Sequence, residues 1–180
     1  MSVYFTSDLH IGHKNILKYR NRFNSMVEHD DFMVNKILSL NKRDLLYVVG
    51  DFIFDHAEYD SRIQQLQNAK CRIIFIPGNH DTLKLLKEPW LECREALVSY
   101  KGIWISHCPI HPQEIRSRVG NIHGHLHSAL VMREQQVMEK QYTVTVPDLR
   151  YYNVNIEDNN YEFVKLEDIK KYFDYVKNHI

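Results

Sequence analysis

Aspartate and histidine recur in short polar segments that interrupt the apolar runs of the sequence. The segments are Asp8-Leu9-His10, Gly50-Asp51, Gly78-Asn79-His80-Asp81, Ser106-His107 and Gly124-His125-Leu126-His127. Carboxylate oxygen and imidazole nitrogen together form a donor set that suits Mn, Fe, Ni, Co or Zn better than Ca or Mg. If these segments meet in the folded chain, the sequence predicts a centre that holds two divalent metal ions.

Spacing within the segments favours chelation. Asp8 and His10 are two positions apart, so in a near-extended segment both side chains leave the same side and can bind one cation together. His125 and His127 repeat this spacing. Asp51 offers a carboxylate that can bridge two ions. The remaining donors are the amide oxygen of Asn79 and the imidazole of His107.

The order of the segments resembles the motif series of the calcineurin-like metallophosphoesterase superfamily, and the matching motifs span most of the chain. The resemblance implies that one metal ion is held by Asp8, His10, Asp51 and His127. It implies that the second ion is held by Asp51, Asn79, His107 and His125. Ser106 departs from the glycine that the family commonly has at this point, and we expect little effect because the following histidine is present.

The same resemblance assigns catalytic roles to two residues of the Gly78-Asn79-His80-Asp81 segment. It implies that His80 contacts the substrate phosphate and helps the leaving group depart, with Asp81 orienting His80. A competing interpretation makes Asp81 the N-cap of a helix that begins near Thr82. Chemistry alone supports such a centre, because two cations lower the pKa of a bridging water toward neutrality. A general acid that protonates the departing oxygen contributes typically about 10²- to 10⁴-fold.

Basic side chains near the motifs are candidates for binding the substrate. His13 and His123 lie beside the metal-binding pairs, and Arg116 precedes the last histidine motif with a guanidinium that suits phosphate geometry. For each of them, a solvent-exposed loop position is the alternative interpretation. Further candidates are Asp55, His56 and His111. Two other side chains are interpreted as structural, Cys108 as a small apolar group packed behind the site and His29 as a surface residue.

The apolar runs are predicted to form the strands and helices that bring the polar segments together. Strands are predicted over Val3–Thr6, Leu45–Val49 and Arg72–Ile76, each ending directly before a polar segment. Ser25 and Glu28 have the spacing of a capping box and open a helix predicted over Met26–Leu40. A second helix, marked by Ile63, Leu66 and Ala69, completes a β-α-β-α-β pattern.

The later half of the chain changes pattern. A short helix is predicted over residues 82–87, followed by strands near Ala96–Tyr100, Gly102–Ile105, Val119–Ile122, Tyr142–Val146, Tyr151–Ile156 and Tyr161–Val164. A C-terminal amphipathic helix carries Leu166, Ile169, Phe173 and Val176 on one face. The early half predicts a mostly parallel sheet and the later half a second, more antiparallel sheet. The predicted fold class is therefore α/β, with two packed mixed β-sheets flanked by helices in a four-layer α-β-β-α sandwich.

Composition fits one globular domain over residues 1–180, because 44% apolar and 26% charged residues are ordinary for a chain that can bury a core. Three cysteines are an odd number at irregular spacing, which argues against a disulfide framework. The N-terminal residues do not resemble a signal peptide, and no stretch has the length of a membrane span. We therefore expect a cytoplasmic protein without a membrane partner, and the oligomeric state stays open.

Lys plus Arg and Asp plus Glu number 23 each, so the chain has no overall positive field for a long nucleic acid. The expected function is metal-dependent hydrolysis of a small, nucleotide-like phosphodiester or phosphomonoester, with two divalent ions, Mn foremost. The alternatives are a nuclease acting on DNA or RNA and a binding scaffold that has kept the fold and lost catalysis. The presence of His80 and of every expected ligand argues against the scaffold.

Overall fold

The computed structural model describes residues 1–54, 59–137 and 142–179. Its strands, numbered in chain order, are β1 (Val3–Thr6), β2 (Leu45–Val49), β3 (Arg72–Ile76), β4 (Glu92–Cys93), β5 (Leu97–Tyr100), β6 (Ile103–Ser106), β7 (Asn121–His123), β8 (Met132–Val137), β9 (Tyr142–Pro147), β10 (Tyr151–Asn153) and β11 (Val164–Lys165). Its helices are α1 (Met26–Leu38), α2 (Tyr59–Leu66), α3 (Leu83–Leu86) and α4 (Leu166–His179). Within these ranges no helix is both long enough and apolar enough to cross a membrane.

The first sheet has the strand order β11-β1-β2-β3-β4. Strands β1 to β4 run parallel, whereas β11 is antiparallel to β1. Every residue of β2 is buried, as expected of an apolar run covered on both faces. Thr6 pairs with Val48, and Val49 pairs with Ile76. Because these parallel strands end at one edge, the polar segments that follow them are brought together there.

The second sheet has the order β10-β7-β6-β5. Only β5 and β6 form an antiparallel pair, because β7 runs parallel to both of its neighbours. The prediction of a more antiparallel second sheet is therefore wrong. The segments that join β6 to β7 and β7 to β10 are long enough to form crossover connections. These strands therefore run parallel and do not form a meander. Strands β8 and β9 pair with each other in a separate two-stranded sheet.

Helix α1 begins with the capping that its sequence predicts. The Ser25 hydroxyl accepts a hydrogen bond from the Glu28 backbone N–H at 3.2 Å. The Glu28 carboxylate accepts from the backbone N–H of Asn24 at 2.8 Å. The helix ends at Leu38, slightly before the predicted end, with Ser39 as its C-cap.

Two hydrophobic cores hold the sheets in place. One core joins α1 and α2 to the first sheet, and its members include Met33, Ile37, Leu46, Ile63 and Phe75. The other core is shared by the two sheets, and α4 contributes to it; its members include Phe5, Val49, Ile76, Ile105, Ile122, Ile169 and Phe173. Burying each large apolar side chain of this kind contributes roughly 1.5–3 kcal/mol to the free energy of unfolding. The prediction of two packed, mixed sheets flanked by helices is confirmed.

Candidate metal centre

The backbone turns sharply at the polar segments. Positive φ angles are found at Asp8 (56°), His10 (53°), Asp51 (52°), His125 (69°) and His127 (48°). This left-handed conformation is uncommon outside glycine and costs of order 1–3 kcal/mol per residue, so the surrounding structure must hold it. The prediction of near-extended Asp-x-His and His-x-His segments is therefore wrong. Their side chains converge because each ligand position lies in a strained turn.

Asp8 is held by contacts from two elements. Its carboxylate is fully buried and accepts a hydrogen bond from the Ser7 hydroxyl at 2.6 Å. The backbone N–H of His125 lies 3.2 and 3.1 Å from its two oxygens. Burial, with a further contribution from the charge of Asp51, raises the pKa of Asp8, although His107 and these hydrogen bonds oppose the shift. A cation placed here would offset the cost of burying this negative charge.

His10 is a buried imidazole that lacks a hydrogen-bond partner within the described residues. It is 3% exposed, and neither Nδ1 nor Nε2 makes a hydrogen bond there. Its Nε2 lies 3.9 Å from Asp8 Oδ1 and 3.8 Å from Asp51 Oδ2. Burial and then the charge of Arg20 lower the pKa of His10 to about 3, so the ring is neutral. Buried polar atoms are nearly always paired, and a metal ion held with these carboxylates would pair this one.

His107 presents one nitrogen to two oxygen donors. Its Nδ1 donates to the Val49 carbonyl at 2.9 Å, the kind of contact that orients metal-binding histidines. Its Nε2 lies 3.0 Å from Asn79 Oδ1 and 3.4 Å from Asp51 Oδ1. Burial alone would lower the pKa of His107, but the hydrogen bond and charge of Asp51, followed by Asp8, raise it. A divalent cation among these atoms would take the place of the proton on Nε2.

The predicted ligands form overlapping groups. Ligand atoms lie within 4.8 Å of one another in Asp8–His10–His127, in Asp8–Asp51–His107 and in His107–Cys108–His125. The rings of His10 and His127 stack 5.5 Å apart, and those of His107 and His125 meet edge to face at 5.1 Å. The structure thus brings all predicted ligands to one place. The donor types fit a pair of divalent ions, and so does the buried His10 ring, which has no hydrogen-bond partner in the part of the chain that the structure describes.

His80 lies at the exposed rim of the centre. Its backbone N–H donates to Asp51 Oδ1 at 3.1 Å. Its ring lies 6.1 Å from the ring of His10, 5.3 Å from that of Phe54 and 6.3 Å from that of His13. The rings of Phe54 and His13 are themselves stacked, with centroids 4.2 Å apart and nearly parallel planes. His13 therefore lies at the rim, stacked on the Phe54 ring, and its contact with substrate stays a prediction.

Asp81 holds the loops that carry the ligands. Its Oδ2 accepts from the backbone N–H groups of Gly78 at 2.7 Å and Asp51 at 2.8 Å, and its Oδ1 accepts from that of Phe52 at 2.9 Å. Both oxygens thus bind backbone rather than the His80 ring. The cap of α3 is Thr82, whose hydroxyl accepts from the backbone N–H of Leu85, so the N-cap interpretation of Asp81 is wrong. Any effect of Asp81 on His80 passes through the shape of the loop.

The other predicted substrate contacts lie in different surroundings. His123 is 2% exposed, its Nδ1 lies 2.8 Å from the Gly124 carbonyl, and burial lowers its pKa to about 4. That placement does not support a contact with substrate. Arg116 is exposed and pairs with Glu114 at 2.8 Å, which matches the solvated-loop alternative. Asp55 and His56 lie outside the described residues, and the exposed His111 caps the 3-10 turn Pro112–Glu114.

Two interpretations of side chains near the centre need correction. Cys108 is exposed and close to His107 and His125, rather than packed behind the site. His29 is 0% exposed, so it is not a surface residue. Helical spacing offers the signal for His29, because it lies one turn before Met33 on the buried face of α1.

Sequence reasoning missed the polar residues that support the ligands. They are Ser7, Arg20, His29, Asp30, Asn155 and Glu157, which contact the ligand segments or one another. No short-range spacing marks Arg20 or Glu157 as part of the centre. Both are recognised only when the fold places them beside Asp8 and His127.

Gly124→Ala is expected to disrupt the centre. A Cβ on Gly124 would lie 2.3 Å from Ser7 Oγ and 2.4 Å from Asp8 Oδ2, atoms that are buried and hydrogen-bonded to each other. We expect the variant to lose bound metal, measured by elemental analysis after incubation with Mn²⁺. Gly102→Ala is the control, since its φ of +82° strains the backbone while nothing lies within 4 Å of its Cβ. Wild-type metal content in Gly124→Ala would contradict this prediction.

Comparisons of the sequence and of the fold identify similar proteins. A family model described as calcineurin-like phosphoesterase matches residues 1–180. An uncharacterized protein of Methanocaldococcus jannaschii is 29% identical over 177 residues, covering 94% of this chain and 89% of that protein. A probable cyclic nucleotide phosphodiesterase of Coxiella burnetii is 30% identical over 101 residues, covering 52% of this chain and 39% of that protein. A solved structure of a protein of unknown function from Aquifex aeolicus has a similar fold, with a TM-score of 0.67 at 24% identity and coverage of 94% and 98% of the two chains.

Proposed function

The chain belongs to the calcineurin-like phosphoesterase family, and from that membership we propose that it is a phosphoesterase that uses two divalent metal ions. The observation that carries the proposal is the buried His10, which has no hydrogen-bond partner among the described residues and lies near the carboxylates of Asp8 and Asp51. A folded protein leaves such an imidazole without a hydrogen bond only at a cost, and a cation removes that cost. The neighbouring donors of His107 and Asn79 extend the same argument to a second ion.

Each ion has its own proposed ligands. The first ion would be held by Asp8, His10, Asp51 and His127, and the second by Asp51, Asn79, His107 and His125. Mixed oxygen and nitrogen donors favour Mn, Fe, Ni, Co or Zn, and we propose Mn as the first ion to test. When bound, such ions supply a water nucleophile at neutral pH and offset the charge of the phosphoryl group. In this scheme Asp51 would supply a carboxylate to both ions.

Two of the protein's own residues are assigned roles in the departure of the leaving group. His80 is exposed, next to the ligands, and we assign it the transfer of a proton to the departing oxygen. The hydrogen bond from its backbone N–H to Asp51 holds in place the backbone from which the ring extends. Asp81 acts as a positioning residue, because its contacts with three backbone N–H groups set the shape of the loop around His80.

A small phosphate ester fits the surroundings of the centre. Asn79 and His80 are both exposed, so a phosphoryl group can reach them from solvent. The chain's formal net charge of +0 provides no general attraction for a long polyanion. The partial similarity to a probable cyclic nucleotide phosphodiesterase makes cyclic nucleotides a substrate class to include.

The test is a panel of phosphomonoesters, linear diesters and 2′,3′- and 3′,5′-cyclic nucleotides. Protein loaded with Mn²⁺ is expected to hydrolyse at least one class, to lose activity on chelation and to regain it when metal is added back. Parallel assays with Co²⁺, Ni²⁺, Fe²⁺ and Zn²⁺ determine which ion supports turnover. The ratio of monoester to diester rates then defines the reaction.

Two other functions are outcomes of the same panel. Cleavage of DNA or RNA, with an affinity that falls steeply as salt is raised, would favour a nuclease over the small-ester enzyme. Absence of hydrolysis with every ester and every metal would overturn the proposed activity and favour a binding scaffold. Metal content measured on the same samples separates a scaffold that binds ions from a protein that binds none.

A further inference from the structure

The Arg20 guanidinium lies buried beneath the ligand segment that follows β1. It is 1% exposed, and its Nη2 and Nη1 donate to the backbone carbonyls of Asp8 at 2.5 Å and Leu9 at 2.9 Å. Its Nε pairs with the Glu157 carboxylate, and Nη1 lies 2.7 Å from His29 Nε2. A buried charge is tolerated only when it is paired and hydrogen-bonded, and this one contacts partners on several sides.

The network continues to the far end of the same segment. His29 Nδ1 lies 2.8 Å from Asp30 Oδ1, so Nδ1 carries the hydrogen and Nε2 accepts from Arg20. The Asp30 carboxylate accepts from the backbone N–H of Gly12, with both oxygens at 3.1 Å. Arg20 and Asp30 therefore hold the turn that contains Asp8 and His10 from both sides.

Glu157 connects this network to the histidine pair after β7. Its Oε1 lies 3.8 Å from His127 Nδ1, and its backbone N–H donates to Asn155 Oδ1 at 2.7 Å. The Asn155 amide nitrogen lies 3.3 Å from the same His127 nitrogen. One carboxylate thus faces both the guanidinium and a proposed ligand.

Backbone strain explains why such a network is needed. Asp8, His10 and His127 all have positive φ angles, which cost free energy unless surrounding contacts hold them. The bonds from Arg20 act on the carbonyls of Asp8 and Leu9, within the strained turn itself. Glu157 and Asn155 act on the His127 ring.

We propose that the Arg20–Glu157 pair preassembles the first metal site, acting as a positioning pair for Asp8, His10 and His127. This inference rests on the proposed dinuclear centre and names the residues that build one half of it. Residues next to metal ligands set ligand orientation, and changing them typically weakens metal binding about 10- to 100-fold. The effect should fall on the first site, because the contacts described above reach ligands of that site.

Glu157→Gln tests the proposal with metal binding as the readout. Co²⁺ titration of the metal-free protein, followed by calorimetry and visible absorption, is expected to give two binding events in the wild type. In Glu157→Gln one event should weaken by about 10- to 100-fold while the other is retained. The variant keeps the side chain's shape, and the Glu157 side chain is 23% exposed, so we expect a folded protein. Glu162→Gln is the matched control, since Glu162 pairs with Lys36 and is 74% exposed.

Arg20→Lys provides a second measurement that does not depend on an ion. Lysine keeps the charge but loses the planar fork that binds two carbonyls and a carboxylate together. In the metal-free variant, amide hydrogen exchange at His10 and Gly12 is expected to accelerate, while exchange within β2 stays at the wild-type rate. A merely structural role would instead accelerate exchange throughout the sheet.

The two failures are distinguishable. A wild-type protein that binds no Co²⁺ would overturn the proposed centre and this inference with it. Two-ion binding with unchanged affinities in both variants would overturn the positioning role alone. Equal weakening of both binding events in Glu157→Gln would also contradict it, because the network contacts ligands of the first site.

Discussion

Replacing His80 by alanine is expected to lower kcat by about 10²- to 10⁴-fold while both metal ions stay bound. The ring is exposed and lies 6.1 Å from the ring of His10, so its loss removes a proton donor without opening the buried centre. The loss corresponds to about 3–5 kcal/mol of transition-state stabilisation. Steady-state kinetics and elemental analysis on the same preparation measure the two quantities.

The leaving group distinguishes proton transfer from a general structural effect. An ester whose departing alcohol has a low pKa needs little help from an acid, so His80→Ala should be impaired least on nitrophenyl esters and most on alkyl or nucleoside esters. His80→Gln keeps a polar side chain of similar reach but cannot transfer the proton, and it should behave like the alanine variant. An equal loss on all esters, or wild-type turnover, would contradict the assignment of His80 as the acid.

The strands that position the centre could be predicted because their signals are local. The strand Leu45–Val49 has the predicted bounds, since an apolar run too short for a helix and followed by Gly-Asp has few other interpretations. The same holds for Arg72–Ile76 before the Gly-Asn-His-Asp segment. Once parallel strands are expected, a common edge for their polar ends follows from geometry.

Features that depend on tertiary contacts could not be predicted in this way. Asp8 and His10 were expected in an extended segment, and nothing in their spacing indicates the left-handed backbone they adopt. Arg20 and Glu157 are 137 positions apart, so the ion pair that links the two ligand segments has no local signature. The later strands alternate like a meander, yet β7 takes parallel neighbours on both sides because long connections allow it.

The close approach of loops also explains why small residues flank the ligands. A Cβ at Gly78 would lie 2.3 Å from Asp51 Oδ1, and a Cβ at Gly50 would lie 2.3 Å from His107 Nδ1. The glycines in these motifs therefore serve the packing of one ligand segment against another.

The Asp51→Asn variant is expected to have a lower affinity for metal ions than any variant changed outside the proposed ligands. Asp51 Oδ1 lies 3.4 Å from His107 Nε2 and its Oδ2 lies 3.8 Å from His10 Nε2, so one carboxylate faces a histidine of each proposed site. Burial would raise the pKa of Asp51, but His107, the His80 backbone and His10 lower it to about 2, which keeps the charge in place to bind cations. Asparagine preserves the shape and removes that charge.

We expect the affinity for both ions to fall by more than the roughly 10- to 100-fold that is typical when a residue next to a metal ligand is changed. Metal content should fall with it, and turnover should no longer be detectable. Asp44→Asn is the matched control, because Asp44 is also buried and also has a lowered pKa, held by the backbone N–H groups of Ser2 and Asn41. It should reduce stability and leave metal content unchanged. Retention of both ions by Asp51→Asn would mean that this carboxylate does not bridge, and the two sites would then have to be assigned to separate ligand sets.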